Sequence, residues 1–421
     1  MVSAKDDEPV KDRYNSTLIL FYCLGVLTQI NVFISNAQLY WKYKFRDINK
    51  KWDPNDSNQL QNEFTSDFAT VSQVAGVVGL IAAVMLVKKF SITSRMVTSF
   101  CGLIMMFATL TVFAVVDTST WQTVFLYMTM FFCFLITMVS CNLMVPVFQL
   151  CAKFLPKYFA AVMSGGAVAG VLSSIVQILT LLVDGSPSMN GIVYFSVAII
   201  FVVLTFLAFS ASVKYSSYFE YYSNQMIDER IRQARDVKIT KQLIYMVVRK
   251  QMYFLGALTL VCLATGMVQP GITSTVESVD ADNGTKWNKI LFMPVVTFFV
   301  YNVFDFIGRE IAIRMSKPIE GIPIFLFSIA RLILPLLLMM CNLKVKQNTA
   351  IWFKSDIVFS ILMILFGLSD GYGTNICIIS ILRNRGDGIG ELIITVTFIV
   401  AIMFGGNAIA SLIELAIVNV L

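Results

Sequence analysis

The feature that most limits this chain is a succession of apolar runs, each about as long as a lipid bilayer is thick, from residue 18 to residue 418. A membrane-crossing helix needs roughly 20 mostly apolar residues, because each residue rises 1.5 Å through a hydrocarbon core about 30 Å thick. Inside lipid the backbone finds no water, so such runs must close their hydrogen bonds within themselves, as helices do. The runs predict spans at 18–40, 66–87, 96–116, 121–151, 158–183, 191–213, 251–272, 288–313, 322–342, 351–381 and 392–418. The runs 121–151 and 351–381 exceed the bilayer and are expected to tilt or extend beyond it. With 57% hydrophobic and 14% charged residues, the chain falls outside the range of soluble domains, which carry about 25% charge. A soluble globular enzyme is excluded, and so is a disordered chain, which needs low hydrophobicity.

The polar stretches organise the spans. Residues 1–17 form a charged tail that lacks the pattern of a secretory signal. A basic linker at 214–250 separates a six-span half, 18–213, from a five-span half, 251–421. Shorter polar loops are expected at 41–65 and 273–287. With the N-terminus inside, inner segments hold 20 of the lysines and arginines and outer segments 10. That bias predicts a cytoplasmic N-terminus, and eleven spans then put the C-terminus outside. Sequons at Asn55 and Asn283 fall in expected outer loops, while one at Asn15 falls inside. The linker reads as a solvated loop, with contact to anionic lipid as the alternative.

The eight cysteines lie mostly in apolar runs and form no CxxC pair, so neither a disulfide framework nor a zinc site is expected. Histidine is absent. No metal or cofactor is implied, and any proton coupling must run through carboxylates.

Charges inside apolar runs are the most informative residues, because an ionised group at the bilayer centre costs about 2.5–3.5 kcal/mol on insertion scales. In the eighth run Asn302, Asp305 and Arg309 share one helical face, within roughly 60° of arc. A narrow polar stripe on an apolar helix needs a polar cavity to face. Two readings stand: contact with a polar, uncharged solute, or an internal ion pair that fixes packing. Arg331 reads as structural, snorkelling or pairing with an acid, and Asp370, Gln149, Gln29 and Glu414 are further polar groups in runs. Gly166 and Gly170 form a GxxxG, and Gly406 with Ala410 its small-residue counterpart, both suited to close helix approach. Pro146, Pro270, Pro294 and Pro335 sit in or at the ends of spans, where each can kink a helix.

These motifs resemble the equilibrative nucleoside transporter family. YNVFDFIGR is similar to its eighth-span signature: Asn302, Asp305, Gly308 and Arg309 match, with Tyr301 in place of Phe. Further stretches match in order: residues 24–40 through Gly25, Leu27 and Asn31, residues 154–171, GMVQPGITS at 266–274, ARLILPLLLMMCN at 330–342, and FGLSDGYGTNIC at 366–377. The resemblance implies an all-α polytopic membrane protein with eleven transmembrane helices in a 6+5, major-facilitator-like arrangement. It implies facilitated movement of nucleosides, and in some members nucleobases, across the plasma membrane without a cofactor. Asp305 and Arg309 would contact the solute, completed by Gln149, Asn31, Gln29 and Asn302, with Arg331, Asp370, Gly166, Gly170, Gly308 and Pro270 in structural or gating roles.

Two departures bear on base selectivity. Gln29-Ile30-Asn31 stands where the family commonly has Pro-Trp-Asn. Val145 stands where the family's fourth-span Gln lies, with Gln149 one turn away on the same face. The alternative readings are a proton-coupled relative using Asp305 or Asp370, and a receptor or channel.

Overall fold

The computed structural model describes residues 12, 15–50, 58–86, 89–151, 154–183, 187–224, 240–269, 271–281, 285–315, 319–343, 351–384 and 389–420. Asn55, Pro270, Asn283 and most of the N-terminal tail lie outside the described residues, as does 225–239 of the linker.

Helices dominate. In chain order they are α1 (Ser16–Thr28), α2 (Val32–Ser35), α3 (Gln38–Lys44), α4 (Gln59–Leu86), α5 (Ile92–Val115), α6 (Gln122–Cys151), α7 (Pro156–Leu182), α8 (Pro187–Tyr215) and α9 (Ser217–Asn224). Then follow α10 (Lys241–Gly266), α11 (Tyr301–Arg314), α12 (Gly321–Arg331), α13 (Ile333–Met339), α14 (Asp356–Arg383) and α15 (Ile389–Val420). Residues Trp287–Leu291 and Met293–Val300 form wider π-helical turns that lead into α11. Among the described residues the only β pairing is two isolated bridges, Val276 with Leu343 and Cys341 with Phe353.

Among the described residues, eight helical stretches are long and apolar enough to cross a membrane. The first run is helical but broken: α1 stops at Thr28, and the chain resumes helix at Val32. Several boundaries move from the sequence expectation. Helix α4 starts at Gln59 and α10 at Lys241, inside stretches expected to be loop and linker. Residues 351–355 are not helical, so the tenth run begins its helix at Asp356.

Local chemistry explains the starts. The Ser91 hydroxyl accepts from the Ser94 N–H at 3.2 Å, and the Thr240 hydroxyl accepts from that of Leu243 at 3.3 Å. Both satisfy N–H groups that a first turn leaves open. Pro156 opens α7, where its missing N–H costs nothing. The Asp12 carboxylate accepts from the Thr17 and Leu18 N–H groups and caps α1.

Helix packing sorts along the chain. Helix α1 packs on α7, α4 and α5 on α6, and α5 on α8. In the later part α11 packs on α14, and α10 on α12, α14 and α15. The two sets meet mainly where α7 lies against α11, α14 and the π-helical turns. Glycines permit the closest crossings. A Cβ on Gly25 would sit 2.9 Å from the Gly165 Cα, and one on Gly308 would sit 2.7 Å from the Tyr372 nitrogen. The tight α1–α7 approach is thus at Gly165, one residue before the glycine singled out in the GxxxG. Large apolar side chains such as Met105, Val112, Phe131, Ile200, Leu204 and Leu207 point outward, as lipid-facing positions do.

Candidate functional site

The site is built where α11 crosses α7. The Arg309 Nε lies 3.0 Å from Asp305 Oδ1 and 3.1 Å from Oδ2, the one-turn pairing that the sequence spacing predicts. The same guanidinium reaches across to α7, where Nη1 donates to the Met163 carbonyl at 2.9 Å. Beside it, the Asn375 amide of α14 donates to the Ser164 hydroxyl at 3.3 Å and to the Arg309 carbonyl at 3.4 Å. Asp305 is buried, and 14% of the Arg309 side chain stays exposed. The two charges balance each other, and part of the Arg309 side chain stays accessible.

A file of polar groups runs from this pair along α7. Asn302, one turn before Asp305, donates to the Ser174 hydroxyl at 3.4 Å and to the Phe298 carbonyl at 2.8 Å. Gly170 leaves room for it, since a Cβ there would strike the Asn302 amide. Its neighbour in the chain, Ser173, accepts from the Asn36 amide at 2.7 Å. Asn36 in turn lines an open cleft of about 130 Å³ between the end of α7, the start of α8, the α2–α3 corner and the π-helical turns. The cleft lies at the end of the bundle opposite the N-terminus of α1. At the α1 end, polar ties join the two sets of helices: Tyr22 donates to Glu310 Oε1 at 2.6 Å, alongside the Arg309–Met163 and Asn375–Ser164 bonds.

The other sequence-derived residues take distinct places. Gln29 packs where α1 breaks, its Cγ 3.3 Å from where a Cβ on Gly166 would be, so this glycine makes room for a side chain. Asn31 follows in the same break. Gln149 is at the far end of α6, where its Oε1 accepts from Arg95 Nη1 at 3.2 Å. Arg331 and Asp370 pair at 3.1 Å in a second buried cluster. There Arg331 also donates to Ser369, Val261 and Thr265, while Thr265 and Tyr301 each donate to Asp370 at 2.6 Å. Glu414 is turned inward, accepting from the Ile272 N–H at 3.1 Å.

Sequence reading missed several of these partners. Arg95 fell just outside an expected span, yet it is 2% exposed and its Nη2 donates to the Ala83 carbonyl. Tyr22, Ser164, Ser174 and Asn375 are ordinary residues for a helix, and their pairing depends on a crossing that no local pattern specifies.

Polar groups gathered between two sets of helices, inside an apolar shell, are the arrangement of a membrane transporter for polar solutes. The chain belongs to the nucleoside transporter family, whose profile matches residues 139–414. It is 24% identical to equilibrative nucleoside transporter 3 of Rattus norvegicus over 387 residues, covering 86% of this chain and 80% of that protein. It is 23% identical to equilibrative nucleoside transporter 1 of the same species over 414 residues, covering 87% and 89%. A third relative, equilibrative nucleotide transporter 1 of Arabidopsis thaliana, is 26% identical over 269 residues, covering 60% and 56%.

Proposed function

We propose that this protein is a facilitative carrier of nucleosides, and of nucleobases in second place, that catalyses no covalent reaction. The observation that carries the reading is the Asp305–Arg309 pair, which sits where the two sets of helices meet and bonds across that seam to Met163. An ion pair is suited to a neutral polar solute. The carboxylate accepts from ribose hydroxyls or base N–H groups, the guanidinium donates to base carbonyls and ring nitrogens, and each balances the other when the site is empty. Asn302 adds an amide from the same face, Gln29 and Asn31 contribute from the α1 break, and Gln149 contributes through its amide N–H groups while Arg95 holds its carbonyl.

The eleven apolar runs cross the membrane in a 6+5 arrangement, with residues 18–213 and 251–421 as rigid halves and the basic linker between them. The N-terminus is cytoplasmic, the C-terminus extracellular, and the plasma membrane is the site of action. The halves rock about α7, α11 and α14, exposing the pair to one side at a time. The polar ties at the α1 end and the cleft at the other support a state closed inside and open outside. Arg331, Asp370, Gly166, Gly170, Gly308 and Pro270 serve packing and gating.

The test is uptake of radiolabelled adenosine, inosine, uridine, hypoxanthine and adenine into proteoliposomes without an imposed gradient. Saturable equilibration of a nucleoside is expected, lost in Asp305→Ala and Arg309→Ala protein that still folds. Uptake that waits for an inward proton gradient would replace this reading with a symporter, and Asp305 and Asp370 would be the carboxylates to neutralise. Normal uptake by either variant would remove the pair from the site.

A further inference from the structure

The open cleft opposite the α1 N-terminus differs in kind from the Asp305–Arg309 pair, because it buries amides rather than charges. Lys42 and Lys289 stand on its lining, but both are exposed, and no acidic residue among the described ones lines it. A charge that stays in water adds little hold on a ligand. The polar side chains buried in the cleft include three carboxamides: Asn36 from the α2–α3 corner, Gln177 from α7 and Asn190 from α8. The Asn36 amide is spent on Ser173. The Gln177 Oε1 has no hydrogen-bond partner among the described residues, although the residue is 5% exposed. A buried acceptor without a donor is costly, so the lining is one donor short of satisfaction.

Size limits what can supply that donor. A cavity of about 150 Å³ holds a benzene-sized ring, and this cleft offers about 130 Å³. One six-membered ring fits, while a whole nucleoside does not, so a sugar would stay in the open mouth. A carboxamide carries an acceptor beside a donor, and it pairs in two bonds with a planar edge that carries a donor beside an acceptor. The ring N–H and C=O of a pyrimidine, or of the six-membered ring of an oxopurine, form such an edge.

We propose that this cleft is a second subsite, separate from the Asp305–Arg309 pair, that takes the base of an uncharged nucleoside by its N–H and C=O edge. The ring N–H donates to Gln177 Oε1, the adjacent carbonyl accepts from the Gln177 amide, and Asn190 flanks them. Uridine and inosine carry the required edge. Asn36 joins the subsite to Ser173, the neighbour of the Ser174 that Asn302 reaches, so a base released here stands at the head of the polar file. Binding of the base is independent of the carrier reading; only its place on a route to Asp305 rests on that reading.

The experiment places a cysteine at Thr180, which is half-buried in the cleft lining. Its reaction with a membrane-impermeant maleimide is followed on the full-length protein in nanodiscs, where both faces are open. The wild-type chain gives the background of its own cysteines. Uridine should slow the labelling of Thr180→Cys. N3-methyluridine, whose ring nitrogen carries no hydrogen, should need a concentration about tenfold higher for the same effect, the worth of one buried hydrogen bond. Gln177→Met keeps the bulk while removing an unpaired buried amide, so the fold is kept, and it should abolish that tenfold difference. Asp305→Ala should leave the protection by uridine intact. Equal protection by uridine and N3-methyluridine in Thr180→Cys would overturn the proposal. A difference that persists in Gln177→Met would do the same, as it would if water alone satisfied Oε1. So would loss of protection in Asp305→Ala protein that still folds, because labelling would then follow the other site. Ribose protecting as well as uridine would overturn the assignment to a base. Protection by uridine in a protein that moves no nucleoside would leave the subsite standing and remove the carrier reading. Uridine uptake without any protection of Thr180→Cys would do the reverse.

Discussion

Two arginines face two aspartates in this bundle, and their surroundings give them different work. Arg331 is 1% exposed at its side chain, donates to Ser369, Val261 and Thr265, and lies over the Phe366 ring at 4.7 Å. Asp370 is filled in turn by Thr265 and Tyr301. Nothing in this cluster is left to offer a solute. Arg309 keeps part of its side chain open and makes one bond across the seam. Breaking a buried pair by removing one partner costs about 3–5 kcal/mol, because the other charge stays behind. Arg331→Met should therefore lower the thermal midpoint in detergent sharply. Arg309→Ala removes a side chain that is itself 14% exposed, so water can follow into the space it leaves beside Asp305, and the variant should cost less stability while abolishing uptake. Equal destabilisation in the two variants would mean that Arg309 is as structural as Arg331. The Asp305–Arg309 pair was legible in the sequence because both partners lie one turn apart on a single helix. The bond to Met163 was not, because a backbone carbonyl carries no residue signature. Arg95 was hidden for another reason: it follows Ser94 at the polar start of an apolar run, so burial could not be read from its neighbours.

At the level of whole helices, the apolar runs were legible because lipid-length hydrophobicity leaves the backbone no other structure. Their ends were less so. The sequence KQLIYMVVRK reads as linker by charge, yet Thr240 caps a helix that begins there. The break after Thr28 has no pattern that local propensity would flag, whereas the π-helical turns before α11 contain Pro294, one of the prolines at which a kink is expected. The crossings depend on particular glycines. On α14, a Cβ at Gly371 would strike the Asp305 backbone carbonyl and come within 2.8 Å of its Oδ1. Gly371→Ala must therefore push α14 away from α11 and displace the carboxylate. Loss of uptake together with a lower thermal midpoint is expected. A Cβ at Gly405 on α15 would meet nothing within 4 Å, so Gly405→Ala should stay within about 0.5 kcal/mol of wild type. If Gly371→Ala melted and transported like Gly405→Ala, the close α11–α14 approach would be wrong.

Considered as a whole, the molecule is joined more tightly at one end than at the other. At the α1 end, Tyr22 donates to Glu310, which also faces Arg314 at 3.5 Å, and Arg309 reaches Met163. The Tyr22 and Arg309 contacts join α1 and α7 to α11, where the rocking proposed above would part them. Tyr22 is the useful probe, because it touches the seam without belonging to the proposed solute site. A hydrogen bond to a charged acceptor contributes about 1.5–3 kcal/mol, and each 1.4 kcal/mol is tenfold in an equilibrium. Tyr22→Phe removes only the hydroxyl. It should raise the population open at the α1 end by roughly tenfold or more, provided Glu310 is rehydrated once the seam opens. Met163 is 4% exposed, so Met163→Cys reports on the proposed opening through its reaction with a membrane-impermeant thiol reagent applied from that side. Labelling should be slow in Met163→Cys alone and faster by about that factor when Tyr22→Phe is added, with saturating nucleoside altering both rates. If the hydroxyl were merely filling space, labelling would not change. The seam at the α1 end would then be held by packing around Gly25 and Gly165 rather than by its polar ties.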